Sequence, residues 1–409
     1  MVTRRAALAA MVCATVVAGG CSAAPTESAT GSATESPARS PSSSSSSSPA
    51  ESPTSRPNQS LEKSTAARLD TAITETMKAS EIPGALIGIW SPEGDYVKAF
   101  GIADTATDSR MKPDFYSRIG SVTKTFTATA VLQLVDDGKL ALDDPIGRYL
   151  DGVPNGETIT VRQLADMRSG LADYTKTDEF AAAIAANPQR DFTPEELLAW
   201  AFAKPAAFAP GQRVEYCNTN YILLGQLVEK VGGQPFGDYL TERILDPLHL
   251  THTSFPTGNQ FPEPHPHGYT EPPDSDGPPV DATAWTTSFA WTAGAMVSTL
   301  DDLRTWVPAL ATGKLISPEL QQQRLRTAPE PGGPADFGYG IGIFSVAGWV
   351  GHNGSVPGYQ TVAVHLPRRE ITLVVMINTD IAVPGRADPS EVLTTAITSV
   401  LTPENVYKL

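Results

Sequence analysis

Residues 119–126 read IGSVTKTF, with Ser121 three positions ahead of Lys124, directly behind a glycine and at the head of an apolar run. A serine hydroxyl is a poor nucleophile at neutral pH and needs a base within hydrogen-bond reach. One helical turn would set Lys124 beside Ser121, and burial lowers a lysine pKa toward values at which the amine accepts a proton. The same residues also read as a helix N-cap with a solvated lysine behind it, and the pair alone does not choose. A second cluster is VEYCNTNY at 214–221. Tyr216 and Asn218 lie two apart, so a short extended segment turns both the same way. The tyrosine could shuttle a proton and the asparagine could hold Lys124 and a substrate amide; a packed tyrosine and a capping asparagine are the plainer alternative. The third is GHNGSVPGY at 351–359. Glycine in a strand permits close approach of another backbone or a ligand. His352 would then flank a site, with Asn353 and Gly354 as substrate contacts. The Ser355 amide could join that of Ser121 as an oxyanion hole. The alternative is a Gly/Pro-rich turn with an exposed histidine.

These clusters need elements to position them. Thr123, Thr125, Thr127 and Thr129 alternate as in a strand. Apolar character nevertheless continues to the Asp-Asp-Gly stop at 136–138, too long for a typical strand. A helix is therefore expected, and only a helix puts Ser121 and Lys124 on one face. Leu61, Leu69, Ile73 and Met77 mark another helical face, and 85–91 and 95–101 read as strands joined by Pro92-Glu93-Gly94. Strand signals return at 339–345, 348–352, 359–366 and 370–378, the last two flanking Pro367-Arg368-Arg369, before a final helix near 388–401. Between the two ends lie helical patterns at 194–202, 218–231 and 300–310, and a Pro-rich loop at 261–280. The expected fold is α+β: an antiparallel sheet built from both chain ends, flanked by helices, with a mostly helical inserted region.

In this order and spacing the three clusters resemble the serine β-lactamase and penicillin-recognising D,D-peptidase superfamily, whose motifs are Ser-x-x-Lys, Tyr-x-Asn and Lys/His-x-Gly. The resemblance is closest to the branch of class C β-lactamases, Streptomyces-type D-alanyl-D-alanine carboxypeptidases and related esterases. It extends over 61–409 through LADMRSGL (164–171), PGQRVEYCNTNYILLG (210–225), DPLHL (246–250) and TAGAMVSTLDDL (292–303). It implies a β-lactamase/transpeptidase-like fold with Ser121 as the acylated nucleophile and Lys124 as its partner. Tyr216 would be general base and acid, Asn218 would orient Lys124 and substrate, and His352 would line the third edge. The amides of Ser121 and Ser355 would form the oxyanion hole. Whether Lys124 or Tyr216 takes the proton stays open. Cys217 stands where serine is usual, and His352 where β-lactamases commonly carry lysine; no arginine lies between Thr327 and Leu366 to replace that charge. A protonated His352 is then expected to help hold an anionic substrate. Trp285, Phe289 and Trp291 are candidates for an aromatic pocket wall.

The implied activity is that of a cell-envelope serine hydrolase working through an acyl-enzyme, first of all a D-alanyl-D-alanine carboxypeptidase-like peptidase. An esterase or weak β-lactamase of the same fold is the alternative, and a non-catalytic peptidoglycan- or penicillin-binding module is the rival of another class. The expected partners are a small-molecule or peptidoglycan-peptide substrate, with neither cofactor nor metal. A net charge of −15 argues against nucleic acid, because phosphate contacts need clustered Lys and Arg. A Gly-x-Ser-x-Gly elbow and alternating strands and helices are both missing, against an α/β-hydrolase, and no His-Glu-x-x-His suggests a metallohydrolase.

Arg4-Arg5, the apolar run from Ala6 to Val17 and AGGC at 18–21 read as an export signal over 1–21. Its end resembles a bacterial lipobox, which implies a lipid anchor on Cys21 and a place on the outer face of the cytoplasmic membrane. Cleavage a few residues later without lipid is the alternative, and Sec and twin-arginine export both remain open. Residues 22–60, rich in Ser, Pro, Thr, Ala and Glu, bury too little apolar surface to order themselves and read as a disordered tether. The hydrolase domain then spans 61–409, where Cys217 is the lone thiol and no disulfide supports the core.

Overall fold

A computed structural model describes residues 59–273 and 277–409. The export signal, Cys21 and all of the tether except Gln59 and Ser60 lie outside the described residues. Those two residues, read above as the tether's end, are held on Asp95: Asp95 N donates to Gln59 O at 2.7 Å and Leu61 N donates to Asp95 O at 2.9 Å. Helix α1 (Lys63–Ala79) follows, capped by the Glu62 carboxylate on Thr65 N and burying Leu69, Ile73 and Met77.

The sheet takes strands from both ends of the chain. They are β1 (Gly84–Ser91), β2 (Gly94–Asp104), β3 (Ser109–Arg110), β4 (Gly338–Tyr339), β5 (Phe344–Val346), β6 (Trp349–Val356), β7 (Tyr359–Leu366) and β8 (Ile371–Ile377). Their spatial order is β3-β2-β1-β8-β7-β6-β5-β4, antiparallel throughout. The two ends meet where β1 pairs β8, Ala85 opposite Ile377 and Trp90 opposite Thr372. Every residue of β7 and β8 is buried, the polar Gln360, Thr361, His365 and Thr372 among them, because helices cover both faces.

The inserted region is built around α2 (Thr123–Asp136), with α3 (Asn218–Gly232) and the short α4 (Trp291–Gly294) packed on it. Helix α5 (Leu300–Thr312) runs across β1, β6, β7 and β8, while α6 (Pro389–Leu401) covers β7 and β8 and packs on α1. Twelve of the fourteen residues of α2 are buried, so it is a central helix rather than a surface one. Its alternating threonines are reconciled with that burial by bonding carbonyls. Thr125 Oγ1 donates to Val122 O, Thr129 Oγ1 to Thr125 O and Thr127 Oγ1 to Thr292 O, each at 2.7 Å.

Two boundaries differ from the sequence reading. Residues 339–345 are not one strand; 340–343 turn between β4 and β5, which pair with each other. The strand expected to end at His352 continues to Val356. The third cluster therefore lies inside a strand rather than in an exposed turn, because only Pro357 and Gly358 are needed to reverse the chain between Val356 and Tyr359.

Candidate active site

Ser121 lies in a 3-10 turn (Gly120–Val122) that runs directly into α2, so the helix puts Lys124 one turn away. Lys124 is fully buried. Its Nζ lies 2.9 Å from Ser121 Oγ, 2.8 Å from Asn218 Oδ1 and 2.7 Å from Ala293 O. Burial pushes its pKa down to about 7, against the opposing pull of Asp173 and Cys217. Cys217 is extended (φ −148°, ψ 115°) and Asn218 opens α3 without capping it, so the Asn218 side chain is free for Lys124. Its Nδ2 donates to Asp173 Oδ2 at 3.2 Å. The Tyr216 ring lies over the amine, its centroid 4.8 Å from Nζ. Burial raises the Tyr216 phenol well above its usual range, with hydrogen bonding to Ser121 pulling the other way.

The opposite wall is β6. Val356 and Tyr359 close a two-residue turn, so the next pair, Ser355 and Gln360, is of the kind that exchanges no ladder bonds. The Ser355 N–H therefore points away from β7, toward the turn that carries Ser121. The Ser121 N–H lies in the opening turn of a helix, where amides have no intrahelical acceptor. Two glycines bring these donors together. A Cβ on Gly354 would stand 2.1 Å from Ile119 O and 2.6 Å from Ser121 N, and one on Gly120 (φ +51°) would stand 2.6 Å from Ser355 N. Only glycine fits at either position.

His352 differs from expectation. It is 1% exposed, and burial, with the Lys124 charge second, lowers its pKa to about 3. Its Nδ1 meets the Asn353 carbonyl and its Nε2 lies 3.0 Å from the Tyr339 hydroxyl. A carbonyl only accepts, so Nδ1 carries the proton and Nε2 accepts from Tyr339. The ring is neutral and is not the cationic anchor proposed from sequence. The aromatic wall is also different. Trp285 is buried, Phe289 packs on Phe180, and Trp291 packs on Phe236 and Phe255. None of the three lines the cavities at Ser121. The aromatic groups at the site are instead Tyr216, Tyr339 and Phe344.

A small cavity at Ser121 is bounded by Tyr216, Asn218, Gly354, Ser355, Gln360 and Asp388. It shares Tyr216, Asn353 and Asp388 with a larger one of about 620 Å³, which reaches Glu330, Arg386 and Glu391. Asn353 Nδ2 donates to Glu391 Oε1 at 3.1 Å. Burial, with Asp388 beside it, raises the Glu391 carboxyl to about 7. Asp173, Gln360, Asp388 and Glu391 were missed in sequence. Asp388 stands at the N-cap of α6 but makes no side-chain cap bond.

A family model described as Beta-lactamase matches residues 69–396. Among curated proteins, the chain is 28% identical over 331 residues to Protein flp of Staphylococcus aureus, covering 78% of this chain and 64% of that protein. It is 29% identical over 264 residues to a putative penicillin-binding protein, PbpX, of Bacillus subtilis, covering 64% of this chain and 62% of that one. The chain thus spans less than two-thirds of the length of these curated relatives. Among solved structures it resembles a D-stereospecific amidohydrolase from Streptomyces sp. (TM-score 0.73, 31% identity, 82% of this chain and 98% of the other). It also resembles a D-amino acid amidase from Ochrobactrum anthropi (TM-score 0.71, 26% identity, 84% and 97%).

Proposed function

The chain belongs to the Beta-lactamase family, and from that premise we propose that it hydrolyses amide bonds at D-configured residues through an acyl-enzyme on Ser121, with Lys124 as the base. One observation carries the reading: the three partners of Lys124 Nζ are two carbonyl oxygens and the Ser121 hydroxyl. A neutral amine has two N–H groups and one lone pair. The carbonyls of Asn218 and Ala293 only accept, so they take both hydrogens and leave the lone pair on Ser121 Oγ. Lys124 is neutral above about pH 7, whereas Tyr216 stays protonated.

Ser121 Oγ attacks the carbonyl carbon as its proton passes to Lys124 Nζ. The new oxyanion accepts from the Ser121 and Ser355 amides. Collapse breaks the C–N bond, and the leaving amine takes the proton from Lys124 through the Tyr216 hydroxyl. Water then attacks the ester by the reverse relay, releasing the acid and restoring Ser121. Each oxyanion donor is worth roughly 10²–10³ in rate.

The amidase-like likeness and the neutral His352 both favour substrates without a terminal carboxylate, because β6 offers no cation. A D-alanyl-D-alanine carboxypeptidase-like activity is the second reading, favoured by the penicillin-binding relative. The cation available to it among the residues lining the larger cavity would be Arg386. A purified domain offered D-amino acid amides, a D-Ala-D-Ala peptide, nitrocefin and short acyl esters separates these readings. Mass spectrometry of a fluorophosphonate adduct tests the nucleophile; label absent from Ser121, or equal in Ser121→Ala, refutes the mechanism and leaves a binding module.

The reading includes placement outside the cytoplasmic membrane on a Cys21 anchor, supported by the charged, apolar and AGGC segments of 1–21. Radiolabelled palmitate incorporated equally by the natural chain and Cys21→Ala would remove the anchor.

A further inference from the structure

Asp173 belongs to none of the three motifs, yet its carboxylate is tied to the site from two sides. Oδ2 accepts from the backbone N–H of Asn218 and from Asn218 Nδ2, both at 3.2 Å. Oδ1 accepts from Thr175 N at 3.1 Å and Thr175 Oγ1 at 2.9 Å. Thr175 Oγ1 in turn accepts from Asn218 Nδ2 at 3.4 Å, which closes a ring of Asp173, Thr175 and the Asn218 amide.

We infer that Asp173 is a positioning residue of the hydrolytic site, holding the Asn218 amide so that its oxygen, not its nitrogen, faces Lys124. An amide can present either end. With a carboxylate on one side, which only accepts, the NH₂ group must turn to Asp173 and Oδ1 to the lysine. An Asn218 turned the other way would aim N–H at Lys124 Nζ. The lone pair would then be drawn off Ser121. The inference rests on the proposed acyl-enzyme mechanism and deepens it.

A purely structural role, pinning the 171–177 loop to α3, is already met without this carboxylate. Tyr174 N donates to Thr219 Oγ1 at 3.1 Å, Thr219 Oγ1 donates to Ala172 O at 2.7 Å, and Tyr174 Oη donates to Phe289 O at 2.6 Å. The charge has a further effect. The titratable groups facing Lys124 are Tyr216 and Tyr221 on its ring contacts, Cys217, His352 and Asp173. Burial keeps both phenols and the thiol protonated and His352 neutral. The Asp173 carboxylate is then the negative charge that offsets the burial of the lysine.

The test uses the whole domain with Asp173→Asn, Asp173→Ala, Asn218→Ala and the double variant Asp173→Ala/Asn218→Ala. Rates are read as kcat and KM on the best amide or ester substrate, across pH 5 to 10. Asp173→Asn keeps the shape and removes the charge, so the acid limb of kcat/KM should move to lower pH while KM holds. Asp173→Ala should lower kcat by roughly 10²-fold, the cost of a displaced catalytic contact, again with KM nearly constant. Adding it to Asn218→Ala should cost nothing further. An unmoved limb in Asp173→Asn, or independent losses that multiply in the double variant, overturns the inference. Should Asp173→Ala not fold, the Asp173→Asn limb decides alone. Failure of the underlying mechanism looks different: the unmodified domain then gives no adduct on Ser121 at all.

Discussion

The two walls of the cleft are made in opposite ways. The helical wall, from α2 and the start of α3, buries Lys124 in a closed set of partners: a hydroxyl, a side-chain amide and a backbone carbonyl. The strand wall contributes backbone, with Gly354 and Ser355 against Ser121, and then opens into a cavity of about 620 Å³ edged by Glu330, Asp388 and Glu391. Low dielectric strengthens paired polar groups and penalises unpaired ones. In the proposed mechanism the helical wall sets proton transfer and the strand wall chooses the substrate.

The sharpest break in that comparison is chemical. Ser121→Ala should abolish adduct formation and lower turnover by roughly 10⁶-fold, as loss of a covalent nucleophile does; residual activity within tenfold of the unaltered domain would place the chemistry elsewhere. On the strand wall, Gly354→Ala drives a methyl into Ile119 O and parts the two amides. Its expected cost is roughly 10²–10³ in kcat, the worth of one oxyanion donor. An unaffected acylation rate in stopped-flow labelling would show that the Ser355 amide takes no part.

The pH profile distinguishes the two candidate bases. Lys124 is protonated below about 7 and free above it, so kcat/KM should climb through that region to a plateau. A tyrosine base with a raised pKa would instead give a limb above 10.

Glu391 gives the smallest effect, and its sign is fixed by burial. A carboxyl whose folded pKa is raised from 4.5 to about 7 favours folding fully below its unfolded value and loses that contribution as pH rises through about 7. Glu391→Gln should therefore raise Tm more at pH 8 than at pH 5. It should also improve kcat/KM a few-fold for carboxylate-bearing substrates at pH 8. Equal Tm gains at both pH values would mean that the carboxyl titrates normally.

Much of the helical wall was legible because it is local. Ser121 and Lys124 are one turn apart, and the length of the apolar run outweighed the alternating threonines. Tyr216 and Asn218 were legible as a pair, but Asp173 was not: nothing in its neighbourhood says that a loop will bring it to Asn218. The strand wall was legible in its glycines and misread in its charge. His352 reads as a surface imidazole until Tyr339 and the sheet close over it, and burial depends on strands distant in sequence. The aromatic wall failed for a related reason: Phe289 and Trp291 pack on other rings of the inserted region, and an aromatic residue serves such packing as readily as a cleft. The sheet's makeup from both chain ends was readable from its apolar runs, whereas the extension of β6 through the third motif was not, because HNGS carries little strand propensity.

The pairing of β1 with β8 has a consequence for how the protein comes into being. β1 emerges early with its apolar edge unpaired, and its neighbour arrives only after the whole inserted region. Contacts of such high sequence separation are slow to form, and an unpaired edge invites association with other chains. The amide of Ser355 comes from the same late segment. During synthesis, Ser121 is therefore present long before the strand that faces it, and a chain cut short before Ile371 lacks the strand that joins the two halves of the sheet.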